Sequence, residues 1–108
     1  MKLSDILSML YENESMESVI TKDIEDILNN IPNFTQLKNI LDEINKHDRI
    51  ALFYRKDDIR AIITDITQHK HNSNKIYLEI NKGERYIDIK LSDIKYNIGV
   101  FIKGERNG

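Results

Sequence analysis

His69 and His71, on either side of Lys70 and with Asp65 four residues earlier, are the nearest this chain comes to a metal-ligand cluster. The stretch His69-Lys70-His71-Asn72-Ser73-Asn74 reads as a polar loop, and a closed site needs about four ligands, so no metal site is expected. Asp57 and Asp58 would suit acid–base chemistry if they faced each other. Neighbours in a strand or turn point apart, which makes them turn residues. Ser4, Ser8, Ser15, Ser18, Ser73 and Ser92 are read as standing in no nucleophile-elbow or Ser-x-x-Lys context. The four glycines, at 83, 99, 104 and 108, are isolated, so no loop cradles a phosphate. With no Cys there is no thiol nucleophile, Cys-ligated zinc or disulfide framework. The expectation is a protein without catalysis, cofactor or metal.

Two constellations could bind a macromolecule. Arg55, Lys56, Arg60, Lys75, Arg85 and Lys90 interleave with Tyr54, Tyr77 and Tyr86, the mixture by which small barrels hold single-stranded nucleic acid. Asp57, Asp58, Asp65, Glu79, Glu84 and Asp88 interrupt that surface, which makes this the alternative reading. The leading one is a protein partner, host or self, docking on acidic helices through Glu12, Glu14, Glu17, Glu25, Asp26, Asp42 and Glu43.

These residues belong to two halves of opposite charge. Residues 1–48 hold 4 Lys and no Arg against 10 Asp+Glu, a net of −6, whereas 49–108 hold 12 Lys+Arg against 8 Asp+Glu, a net of +4. A charge asymmetry of this kind points to partner surfaces rather than to chemistry. At 108 residues, 40% hydrophobic and 31% charged, the chain has the length and composition of one globular domain. The acidic half carries helical spacing. A first helix capped by Ser4 turns Ile6, Leu7 and Leu10 inward and fades in Glu12-Asn13-Glu14. A second, capped by Thr21, has the stripe Ile20, Ile24, Ile27, Leu28 and Ile31 and stops at Pro32. A third runs from about Thr35 to Lys46, with Phe34, Leu37, Ile40, Leu41 and Ile44 inward.

The basic half alternates as strands do. Arg49 to Lys56 and Ile59 to Thr67 flank the Asp57-Asp58 turn. Both carry apolar residues on both parities, the pattern of strands covered on two faces, and a helix on the outer face would account for it in the second. Ile76, Leu78 and Ile80 face one way in a third strand, and Ile87, Ile89 and Leu91 in a fourth. A two-residue Lys82-Gly83 loop pairs Leu78 with Ile87 and Ile76 with Ile89. After one helical turn at Ser92-Asp93-Ile94, a last strand from Tyr96 to Lys103 ends the chain's pattern. Its unpaired edge could join a second copy. The fold class is α+β: short N-terminal helices packed on a five-stranded antiparallel barrel or meander resembling the SH3 and Sm-like architectures.

From about Asp23 to Asn97, the acidic helical lead, Arg49-Ile50-Ala51-Leu52-Phe53-Tyr54, Ile59 to Ile66, Ile76 to Ile80 and Tyr86 to Ile94 resemble the YolD-like family. Those are small proteins of low-GC Gram-positive bacteria and their phages. The resemblance implies a strand-rich domain without known catalysis, linked to DNA-damage polymerase operons. The chain has no Trp for that family's basic-Trp segment and has Asp65 where glycine is common, so no site residue carries over. No apolar run approaches the roughly 20 residues that span a bilayer, and no signal-peptide pattern opens the chain. The expected location is cytoplasmic, in a host if phage-encoded, and the expected role is a non-catalytic regulator or inhibitor.

Overall fold

The computed structural model describes residues 2–12, 14–30 and 33–103, the side chains of Tyr11 and Glu14 excepted. Helix α1 (Leu3–Glu12) buries Ile6, Leu7 and Leu10. It starts ahead of the expected cap: the Lys2 carbonyl accepts from the N–H groups of Asp5 and Ile6, leaving Ser4 inside the first turn. A 3₁₀ turn (Glu14–Met16) leads into α2 (Glu17–Asn29), whose inward stripe is Ile20, Ile24 and Leu28. Thr21 is likewise no cap, since the helix begins four residues earlier and the Thr21 hydroxyl donates back to the Ser18 carbonyl at 3.0 Å. Ile31 and Pro32 lie outside the described residues. Asn33 caps α3 (Phe34–Asn45) by accepting from the Gln36 N–H at 2.9 Å, and Leu37, Ile40, Leu41 and Ile44 turn inward.

Strands β1 (Ile50–Lys56), β2 (Ile59–Gln68), β3 (Lys75–Ile80), β4 (Arg85–Lys90) and β5 (Ile98–Ile102) form one antiparallel sheet in the order β4-β3-β2-β1-β5. The β3–β4 register matches the pattern argument, with Leu78 opposite Ile87 and Ile76 opposite Ile89. The connection differs. Strand pairing stops at Ile80 and Arg85, and Asn81–Glu84 form a four-residue turn in which Asn81, Lys82 and Gly83 all take positive φ. Asn81 is drawn onto β2 instead of pairing with Glu84: its N–H donates to the Ile62 carbonyl at 2.9 Å and its side-chain carbonyl accepts from the Ile62 N–H.

The mixed parity of β2 has a cause the spacing does not reveal. The register slips between Ile63 and Asp65, so Thr64 is the extra residue of a bulge. Ala61 and Ile63 are buried before it and Ile66 after it, while Ile62 remains exposed. One buried face therefore changes parity, and no helix on the outer face is needed to explain it. A 3₁₀ turn (Leu91–Asp93) and the single turn α4 (Ile94–Asn97) carry the chain from β4 to β5. Tyr96 therefore sits in a helical turn, and the last strand begins at Ile98.

The sheet is not a closed barrel, because β4 and β5 are its two edges and do not pair with each other. Helix α4 delivers β5 to the far side of β1, and α2 packs along β5. Apolar residues of both halves form one core, from Ile6, Ile24 and Leu41 to Leu52, Ile63, Leu78 and Ile98. Each helix is too short to be stable alone, so this shared burial is what holds the helices in place.

The halves are tied at the point where the charge changes sign. The Arg49 guanidinium donates to the Leu10 carbonyl at the end of α1 and to the Glu17 carboxylate in the first turn of α2. Positive charge at a helix C-terminus and negative charge at an N-terminus are both favourable, so one ion pair serves two helix ends. The Arg49 N–H is held by His47 Nδ1 at 3.0 Å, and the opposite ring nitrogen, Nε2, lies 3.3 Å from the Leu7 carbonyl. Nδ1 acts as acceptor, which leaves the proton on Nε2 and aimed at that carbonyl. Replacing Arg49 with Met should cost about 2–3 kcal/mol, because it strands a half-buried carboxylate and an α1 carbonyl. Urea unfolding should show a lower midpoint at unchanged slope. Lys22→Met, which removes an exposed pair with Asp26, should change stability by less than about 0.5 kcal/mol.

Candidate functional site

The outer faces of β1, β2 and β5 bring together Phe53, Ile62 and Phe101, which no sequence motif joins. Phe53 lies opposite Ile62 on one side and Gly99 on the other. Its ring meets that of Phe101 edge-on, at 6.1 Å between centroids and 71° between planes. Phe101 is 42% exposed and Ile62 36%. The two rings form a ridge between two grooves. One of about 510 Å³ runs over Arg60, Ile62 and Asn81. The other, about 270 Å³, runs against Ser18 and Thr21 of α2.

A charged cluster flanks this ridge. Arg55 lies 5.8 Å over the Phe53 ring, and its Nη1 is 3.8 Å from Glu25 Oε2. The same carboxylate oxygen accepts from the Val100 N–H at 3.2 Å, which places it on the outer edge of β5. Gly99 makes the room: a Cβ there would stand 2.7 Å from Arg55 Nη1 and 3.2 Å from Glu25 Oε2.

The nucleic-acid candidates do not form one surface. Tyr54 is only 3% exposed and belongs to the core, so it is no stacking platform. Its parity in β1 puts it on the inward face with Ile50 and Leu52. Arg55 is held by Glu25, Arg60 Nη1 donates to the carbonyls of Asp57 and Ile59, and Lys75 is 3.1 Å from Asp88. Tyr77 is half-buried, with the His69 ring 5.7 Å away. Tyr86, Arg85 and Lys90 are exposed on β4. Lys56, Lys75 and Lys90 do meet in one cleft of about 250 Å³, but Asp88 and Asp93 line it with them.

The acidic candidates divide too. Glu17 and Glu25 are engaged by Arg49 and Arg55 of the strands. Glu12, Asp26, Asp42 and Glu43 are exposed on three different helices, with Asp26 near Lys22 and Asp42 near Lys38. The Glu14 side chain lies outside the described residues. His69 Nδ1 accepts from the His71 N–H at 3.0 Å and so shapes its own loop. Among the described residues no three His, Asp or Glu side chains gather as metal ligands, and no helix is long and apolar enough to cross a membrane.

Three features escaped the sequence reading. His47 is 5% exposed, and its signal was its place three residues after Ile44 on the inward stripe of α3. Contrary to the reading that no serine has a Ser-x-x-Lys context, Ser92-Asp93-Ile94-Lys95 has that spacing, but both end residues are exposed and Lys95 Nζ lies 5.2 Å from the Tyr96 ring centroid. Lys38 Nζ donates to Asp65 at 2.7 Å, joining α3 to β2 at the residue after the bulge. The Lys38 hydrogen bond, reinforced by one from the Ile66 N–H, holds the Asp65 carboxyl below its ordinary range, and the same bond raises the Lys38 ammonium above its own.

Compared with family models, with curated proteins and with solved structures, the chain matches none.

The Lys38–Asp65 contact carries a pH signature. A lowered carboxyl contributes stability above its unfolded pKa and loses it as pH falls through the folded one; a raised ammonium contributes below its unfolded pKa and loses it as pH rises through its folded one. Thermal unfolding should therefore place the native protein above Asp65→Asn at neutral pH. The gap should close as the pH falls through the lowered pKa of Asp65, on the acid side of the ordinary carboxylate range. The pair is half-exposed, so the gap is small.

Proposed function

We propose that this chain is a non-catalytic protein-binding module of regulatory or inhibitory type. Its contact surface is the Phe53–Ile62–Phe101 ridge of the sheet rather than the acidic helices. One observation carries this reading: two aromatic rings and an isoleucine stand together, solvent-accessible, between two grooves, only one of which α2 borders. Scattered exposed apolar residues need no explanation, but adjoining ones bordered by polar groups mark interaction sites. Aromatic and arginine side chains are also those that dominate protein interfaces. The partner that fits is a segment of another protein with an apolar anchor for the groove and carboxylates for Arg60 at its rim. The acidic helices support this less well, since Glu17 and Glu25 are already held internally and the exposed acids lie on separate helices.

A second reading, single-stranded nucleic acid, rests on the meeting of Lys56, Lys75 and Lys90 in one cleft near β4. It requires binding that falls steeply with salt.

Selection of a randomised displayed-peptide library on the immobilised protein separates the two. The protein reading expects enriched peptides with an aromatic or branched anchor next to Asp or Glu. It also expects Phe101→Asp, with an unchanged circular dichroism spectrum, to weaken those peptides at least about tenfold, as loss of a central aromatic anchor does. Equal binding to the variant would sink the ridge as the contact surface. Tight, salt-sensitive binding of an oligothymidine that Phe101→Asp leaves intact would favour the nucleic-acid reading instead.

A further inference from the structure

The two edges of the sheet are treated differently. In an antiparallel ladder the backbone groups of successive residues face alternately toward and away from the neighbouring strand. The Lys103 N–H donates to the Arg49 carbonyl, so with the β1–β5 register Ile98, Val100 and Ile102 face the free side of β5. There Glu25 takes the Val100 N–H and α2 runs alongside, which closes the edge the sequence offered for self-pairing. On the other side the Leu91 N–H donates to the Asn74 carbonyl. The β3–β4 register then turns the backbone groups of Arg85, Ile87 and Ile89 toward β3 and those of Tyr86, Asp88 and Lys90 away from it, Asp88 and Lys90 standing at the cleft that Lys56 and Asp93 also line. All three side chains are exposed, Tyr86 at 55%.

The charges on β4 show what fits this edge. Lys90 lies directly opposite Lys75, a like-charge cross-strand pair that is unfavourable as it stands. Asp88 answers Lys75 at 3.1 Å, whereas Lys90 has no ion pair among the described residues. We infer that β4 pairs with β4 of a second copy, antiparallel about a two-fold axis through Ile89, so that Asp88 of each copy faces Lys90 of the other. This register obeys the backbone alternation, since Asp88 and Lys90 both present outward groups. It also sets Ile89 against its own copy, so that the paired ladder runs from Asp88 to Lys90 and ends where the 3₁₀ turn begins at Leu91. Moving the axis to Asp88 would oppose two carboxylates, and moving it to Ile87 would oppose Arg85 to an isoleucine. Because β5 is capped, the assembly is a closed dimer and not a head-to-tail chain.

The bland alternative is that Arg85 and Lys90 keep the edge unpaired, as edge charges often do. Sedimentation equilibrium of the full chain at low salt decides between them. Dimerisation predicts a monomer–dimer equilibrium in the micromolar range. Asp88→Lys and Lys90→Asp should each weaken it at least about tenfold, because two symmetric ion pairs become like-charge pairs. The double swap should restore it to within about threefold of the native value. Lys90→Asp also relieves the repulsion from Lys75, so thermal unfolding at a concentration well below the dimerisation range, where both chains are monomers, should find it no less stable than the native chain; this guards against mistaking misfolding for lost pairing. Monomer alone up to about 200 μM, well above that range, or a dimer indifferent to the single reversals, would overturn the proposal.

Discussion

Arg49 is the residue on which the arrangement of the two halves depends. Its side chain joins the end of α1 to the start of α2, its N–H is held by His47 at the exit of α3, and its carbonyl forms a rung with Lys103 beyond β5. Once these are fixed at one point, the path of α2 follows. From Glu17 to Glu25 a helix advances about 12 Å. From Lys103 back to Val100 a strand covers about 10 Å. The two lengths nearly agree, and Glu25 arrives beside the Val100 N–H. Gly99 then leaves space for Arg55 to meet the same carboxylate.

The charge split between the halves is therefore largely an internal device. Read as surface, it suggested an acidic docking face and a basic groove. In the structure two of the acids, Glu17 and Glu25, are taken up by arginines of the other half, while Lys38 reaches from the acidic half to Asp65. Helical and strand periodicity show which side of an element turns inward, but they do not say which charges meet across it. The candidate site was hidden for the same reason. Phe53, Ile62 and Phe101 belong to three strands, and only the β2–β1–β5 order makes them neighbours.

Much of the fold was legible. Apolar spacing located three helices and five strands, and pairing isoleucines and leucines across Lys82-Gly83 set the β3–β4 register. The errors lie where a side-chain hydrogen bond outweighs periodicity. Asn81 bonds to Ile62 and widens a two-residue turn into four. Thr64 is the bulge residue, its hydroxyl donating to Glu79 and accepting from the Lys82 N–H, and the parity of the buried face changes across it. Ser4 and Thr21 have the chemistry of caps, yet both helices begin earlier, α2 at the carboxylate that Arg49 binds. Tyr54 has the chemistry of a stacking surface, but its parity places it with Ile50 and Leu52 in the core.

The same interactions explain why five strands with this connectivity stay open. Closure would require β4 to reach the outward side of β5, where Glu25 holds the Val100 N–H and α2 lies. Displacing Glu25 would expose that N–H for a new strand, but it would also separate Arg55 from the carboxylate beside it. Polar partners already in place make such an exchange unfavourable unless every group finds an equivalent replacement. Strand β4 brings exposed Arg85 and Lys90 with its backbone, and Arg55 would then face further positive charge without Glu25. The acidic helix thus satisfies one edge of the basic sheet. In doing so it leaves β4 as the only strand with an uncapped outer ladder among the described residues.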